Sequence, residues 1–128
     1  METAHLLKTE TDRIEWKQTE KDTKDIARAV CALANDLGDT HEDGYLVLGV
    51  RKDGTPAGIK GDQLDNIQQK LNSLLTSTQI LPTPSCDISA REYDKKHIIA
   101  VCVQPYPTPP VVTVNQTAWV PPRAVQFW

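Results

Sequence analysis

At 128 residues, 39% hydrophobic and 24% charged, the chain has the composition of one globular domain and the length to bury a core. Its net charge of −3 argues against a surface that coats nucleic acid indiscriminately, though it permits a local basic patch. No apolar run approaches the roughly 20 residues of a membrane-spanning helix, and "METAHLLKTETD" does not read as a signal peptide, so no membrane partner and a cytoplasmic location are expected.

In chain order, "RIEWK" (13–17) alternates polar and apolar with period two. This predicts a strand with Ile14 and Trp16 toward a core and Arg13, Glu15 and Lys17 on the other face. A helix is predicted over about 21–36, where Ile26, Val30, Leu33 and Leu37 recur at helical spacing and Asn35 and Gly38 serve as stop signals. "GYLVLGV" (44–50) is a continuous apolar run of strand length, predicted as a central strand covered on both faces. The Asp53-Gly54 pair that follows is a hairpin turn signal, with "AGI" as a short returning strand.

A second helix is predicted from Asp62, as N-cap, to Leu75, with Leu64, Ile67, Leu71 and Leu74 on one face. "LPTP" (81–84) imposes an extended segment. "CDISAREY" and "HIIAVCV" then read as strands of a hairpin joined by "DKK". A proline-dense loop leads to "VVTV" and "TAWV", a third expected hairpin. Its "PTPP" (107–110) fits a P-x-x-P ligand, but a rigid loop explains it more cheaply. The order of elements implies a single α+β domain: a mixed, mainly antiparallel sheet with two packed helices.

Cys31, Cys86 and Cys102 are far apart and form no C-x-x-C pair, which predicts reduced, mostly buried thiols rather than zinc or redox chemistry. His5, His41 and His97 have no metal-ligand spacing, and "THEDG" (40–44) reads as a hydrated loop. No G-x-x-x-x-G-K-[ST] motif is present, so no ATP site of that kind is expected. The terminal Phe127 and Trp128 suggest folding back, continuation of the chain, or self-association through the C-terminal segment.

Several of these stretches together resemble the Schlafen-type, AlbA-like domain, a class assigned to DNA binding in bacterial transcriptional regulators and forming the core of Schlafen ribonucleases. "ETDRIEWK" is similar to its E-(four residues)-E-F-K, "IARAVCALANDLG" to its helix ending in A-x-x-N-x-x-G-G, and "GYLVLGV" with "DGTPAGI" to its G-V strand, acidic-Gly turn and V-x-G segment. The likeness covers about residues 10–123 of the domain spanning 1–128. It implies a nucleic-acid partner, RNA or DNA. In the ribonucleases it further implies carboxylates that hold Mg²⁺ or Mn²⁺ and cleave structured RNA such as tRNA. Glu10 and Glu15 match the first two positions as metal ligands. The third acid is replaced by Arg51 and Lys52, leaving Asp53, inside the turn, as the nearest substitute, and "DTHED" (39–43) is inserted where the family has adjacent glycines.

Two readings of the glutamates stay open on the residues alone. Hard carboxylate oxygens suit Mg²⁺ or Mn²⁺, but five residues of strand span about 16 Å, so Glu10 reaches Glu15 only if the chain bends near Thr11-Asp12. The alternative is a charge-balanced strand face, Arg13-Glu15-Lys17. For phosphate binding, Arg13, Lys17, Lys21, Arg51 and Lys52 are the candidate contacts, set against the interleaved acids Glu20, Asp22 and Asp25.

Overall fold

The computed structural model describes residues 2–77, 80–107 and 111–113. After a single helical turn, α1 (Thr3–Leu6), the chain forms β1 (Ile14–Lys17), α2 (Thr23–Asn35), β2 (Gly44–Leu48), α3 (Leu64–Leu75), β3 (Ile80–Leu81), β4 (Cys86–Tyr93), β5 (Lys96–Val103) and β6 (Val112–Thr113). The main sheet has the order β1-β2-β5-β4. β1 runs parallel to β2, and the β2–β5 and β5–β4 pairs are antiparallel. β3 and β6 make a separate antiparallel pair. The result is the expected α+β class with a mainly antiparallel sheet.

Alternation along the strands sorts the core into two layers. On one face Leu46, Leu48, Ile99, Val101 and Val103 pack with α2 and α3. On the other Ile14, Tyr45, Val47, Ile98 and Ala100 pack with Leu6 and Leu7. β2 is buried along its whole length because both faces are covered. α1 carries that second cover, and its four residues are too short to show a helical period in the sequence.

α2 starts where Asp22 Oδ1 accepts from the Asp25 N–H at 3.1 Å. It ends as Asp36 turns left-handed at φ 47°. That ending corrects one expectation. Leu37 continues the apolar spacing but lies past the helix, 67% exposed.

Two further boundaries differ from the sequence reading. Asp62 falls in a 3-10 turn, Gly61–Gln63, and α3 begins one residue later without a side-chain cap. "AGI" makes no strand; instead isolated bridges join Val50 to Pro56 and Ile59 to His97. Pro56 has no N–H to extend a ladder, and Gly49 and Gly58 adopt positive φ on either side. The β4–β5 hairpin forms as expected, closed by Asp94 and Lys95 at φ 52° and 62°. Val112–Thr113 pairs with β3; the rest of the third hairpin, most of "PTPP" and the terminal aromatic residues lie outside the described residues. All three cysteines are free, Cys31 buried and the other two half-buried. Among the described residues no helix is long and apolar enough to cross a membrane.

Candidate functional site

The chain bends between Glu10 and Glu15. Thr11 and Ile14 exchange backbone hydrogen bonds at 3.0 and 3.3 Å, closing a turn through Asp12 and Arg13. The turn returns Glu10 alongside β1, where its carboxylate accepts from the Trp16 N–H at 3.2 Å. Glu15 and Lys17 do not lie on a wet face. They project beneath α2, half-buried, while Trp16 points to the α1 side and donates its indole N–H to the Leu6 carbonyl at 2.8 Å.

Under α2, Lys17 Nζ is ion-paired with Asp25 in the helix's first turn and lies 3.9 Å from Glu15 Oε1. Burial raises the Glu15 carboxyl above the usual glutamate range. Lys17 opposes the rise, and the charges of Asp25 and Glu10 add to it. Burial pulls the Lys17 ammonium down, but its bond to Asp25 and the charges of Glu15, Asp25 and Glu10 outweigh that, so its proton is held more tightly than usual. A cleft of about 330 Å³ opens beside this seam, lined by Glu10, Arg13, Glu15, Leu33 and Leu37.

Asp25, which neither motif nor charge pattern singled out as an acid partner, thus joins Glu10 and Glu15. Its spacing from Lys17 crosses an element boundary, so helical periodicity could not reveal it. Asp53 is engaged elsewhere. Its carboxylate accepts from the Thr55 hydroxyl at 2.6 Å and the Thr55 N–H at 3.0 Å, and these bonds, with Arg51 nearby, lower its pKa.

The seam does not present a ready ligand set for a divalent cation. The Lys17 ammonium already stands between Glu15 and Asp25, supplying the positive charge an ion would bring. Among the described residues, Asp36, Asp39 and His41 are the group whose ligand atoms lie within 4.8 Å of one another. There Asp36 is committed to Thr40, His41 and Arg13.

The candidate phosphate contacts separate in space. Arg13 is buried, its Nη2 donating to the Glu42 carbonyl at 2.7 Å and its Nη1 lying 3.7 Å from Asp36. Lys17 is in the seam. Lys21, Arg51 and Lys52 are exposed. Arg51 braces its own turn, donating to Thr55 Oγ1 and the Pro56 carbonyl at 3.3 Å.

Strand direction places the exposed members together. β1 and β2 end at the edge of the sheet where β5 begins and β4 finishes. Ile59 bridges to His97, and Gly58 lies so close to Lys96 that a Cβ there would sit 3.4 Å from its side chain. Arg51, Lys52, Lys60, Lys95 and Lys96 therefore share one end of the sheet, joined by Lys21 before α2. Asp53, Asp62, Glu92 and Asp94 lie among them, and the opposite end carries Asp12, Asp36, Asp39, Glu42 and Asp43. Lys60, Lys95 and Lys96 were missed from sequence because hairpin pairing, not periodicity, brings them to Arg51.

Comparisons agree with this architecture. The solved N-terminal domain of an ATP-dependent DNA helicase RecG-related protein from Nitrosomonas europaea superposes with a TM-score of 0.64 at 26% identity, covering 82% of this chain and 74% of that one. No curated protein matches the chain. The family described as Schlafen, AlbA_2 matches residues 10–121, from the first glutamate of the bent strand entry through the paired strands. With the turn, the half-buried Glu15-Lys17 face and the all-buried G-V strand in their places, the chain belongs to the Schlafen, AlbA_2 family.

Proposed function

We propose that this domain binds nucleic acid, RNA or DNA, by gripping the phosphate backbone at the basic end of its sheet, as the binding module of a regulatory or defence protein. The observation that carries the reading is the convergence of exposed cations from separate segments at one end of the sheet. Arg51, Lys52, Lys60, Lys95 and Lys96 gather at one end of the sheet in a chain whose net charge is −3, interleaved there with Asp53, Asp62, Glu92 and Asp94. Family membership and the helicase-related neighbour support a nucleic-acid role. Arg13 acts as a structural brace here, and Lys17 as the counter-charge of the seam.

Lysine and arginine at strand ends bind phosphate without reading bases, so affinity falls with salt through counterion release. Fluorescence anisotropy with a labelled RNA hairpin and a DNA duplex, from about 50 to 200 mM salt, tests this. Binding weakens with salt, and Lys95→Ala with Lys96→Ala lowers the slope of log K against log salt by about one per lost contact. Affinity that stays flat with salt, or is unmoved by removing both lysines, refutes the proposal.

The alternative, a metal-dependent endoribonuclease, draws on the approach of Glu10, Glu15 and Asp25, and it requires an ion to displace the Lys17 ammonium that now stands between Glu15 and Asp25. Incubation with tRNA and Mn²⁺ decides it. Cleavage abolished by Glu15→Ala supports the reading; no cleavage, or cleavage that survives Glu15→Ala, removes it.

A further inference from the structure

Among the described residues β4 forms one border of the main sheet, and eight residues of it, Cys86–Tyr93, pair with β5 alone. A strand edge of that length offers a row of unpaired backbone donors and acceptors to another strand. Which residues form the row follows from the ladder. Gln104 N–H donates to the Ser85 carbonyl, so alternation directs the backbone groups of Asp87, Ser89, Arg91 and Tyr93 toward β5. Those of Cys86, Ile88, Ala90 and Glu92 point outward.

We infer that this edge pairs antiparallel with β4 of a second copy of the chain, about a two-fold axis at Ser89. Pairing about this axis sets Ile88 against the partner's Ala90 and Cys86 against the partner's Glu92, joining outward-facing residues only. It also sets Asp87 against the partner's Arg91, and the symmetry repeats the contact. Both residues lie on the α1 side of the sheet, opposite Cys102 and Ile98 respectively. Because they form a non-hydrogen-bonded pair across the proposed edge, their side chains stand at the closer of the two cross-strand spacings. Arg91 is already laid along the strand, its Nε donating to Ser89 Oγ at 3.3 Å.

Shifting the pairing by two residues sets Asp87 against Ser89 or Tyr93 and loses the charge match. On the other face, a groove of about 640 Å³ between α3 and the edge is lined by Gln68, Gln69, Asn72 and Ser73. In the proposed register the partner's Glu92 enters beside Cys86, where those amide groups can donate to its carboxylate. The edge is self-complementary in backbone, in charge and in polarity, as an isologous interface requires. This route to a dimer does not rest on nucleic-acid binding.

Sedimentation velocity of the full chain from about 1 to 300 µM tests the proposal. A concentration-dependent dimer is expected. Ala90→Pro deletes an outward N–H at an exposed edge position where proline is tolerated, and it leaves the chain monomeric. Asp87→Arg and Arg91→Asp each raise the dissociation constant at least about tenfold, and the double reversal restores it. These reversals sit at the border of the sheet, so thermal melts monitor folding independently. A parent monomeric throughout, a dimer that persists in Ala90→Pro, or a double reversal as weak as the singles overturns the inference.

Discussion

Asn35 clamps Val111. Its Nδ2 donates to the Val111 carbonyl at 2.9 Å, and its Oδ1 accepts from the Val111 N–H at 2.6 Å. Both residues are buried, so one side chain satisfies both backbone groups of a segment 76 positions away and fixes the β3–β6 pair beside α2. Asn35→Ala leaves that donor and acceptor buried without partners. Unmade buried hydrogen bonds cost about 1–3 kcal/mol each. Urea unfolding of Asn35→Ala is therefore expected to show a loss of roughly 2–4 kcal/mol, with Asn35→Asp also destabilised because a carboxylate cannot donate to the carbonyl.

Asp36 and Glu15 make opposite contributions to the pH dependence of stability. Burial pushes the Asp36 carboxyl upward, but bonds from the Thr40 and His41 N–H groups and the Thr40 hydroxyl, with Arg13 nearby, outweigh it and lower its pKa below 3.8. A carboxyl depressed in the folded state stabilises it above the unfolded value, and the gain disappears as pH falls through the lowered one. Glu15, raised above 4.5, works the other way, and its burial costs stability as pH rises through its folded value. Asp36→Asn should thus lose more stability at pH 7 than at pH 3, whereas Glu15→Gln should improve relative to the parent between pH 4 and pH 7. Denaturant midpoints across that range check both signs.

Gly54 closes the turn after β2 at φ +88°, and a Cβ there would meet Trp16 Cη2 at 3.0 Å and the Leu7 carbonyl at 3.2 Å. The turn therefore presses on the indole that caps the α1 side of the core. Gly54→Ala combines left-handed strain with that collision and is expected to cost about 1–3 kcal/mol. A melting curve measures the loss, and Trp16 fluorescence reports displacement of the ring. The sequence marked this position from Asp53-Gly54 alone, without the tryptophan contact that makes it tight.

What the sequence made legible was the periodic part of the molecule. Ile14, Trp16, the "GYLVLGV" run and the α2 stripe reach the core because period two and period 3.6 are imposed by local geometry. The exceptions share a cause. Leu37 kept the helical spacing but the chain left the helix at Asp36, where three hydrogen bonds to residues 40 and 41 outcompete another turn. Arg13 looks in sequence like a surface cation, and only the folded 36–42 loop supplies its buried acceptors. Asp25 meets Lys17 across a strand-helix boundary, and Lys96 meets Gly58 where the loop after β2 passes the start of β5. Neither juxtaposition has a sequence period to reveal it.

The parallel pairing of β1 with β2 also has a kinetic consequence. The β4–β5 hairpin closes over Asp94 and Lys95, a loop short enough to form on the microsecond scale. β1 can register against β2 only after the intervening α2 has folded back, which requires contacts between residues such as Ile14 and Tyr45 far apart in the chain. The expected order places the lysines at the hairpin tip early in folding and the Glu15–Lys17–Asp25 seam late. Measured as φ-values, substitutions around Asp94 should report an early transition-state contact and those around Lys17 a late one.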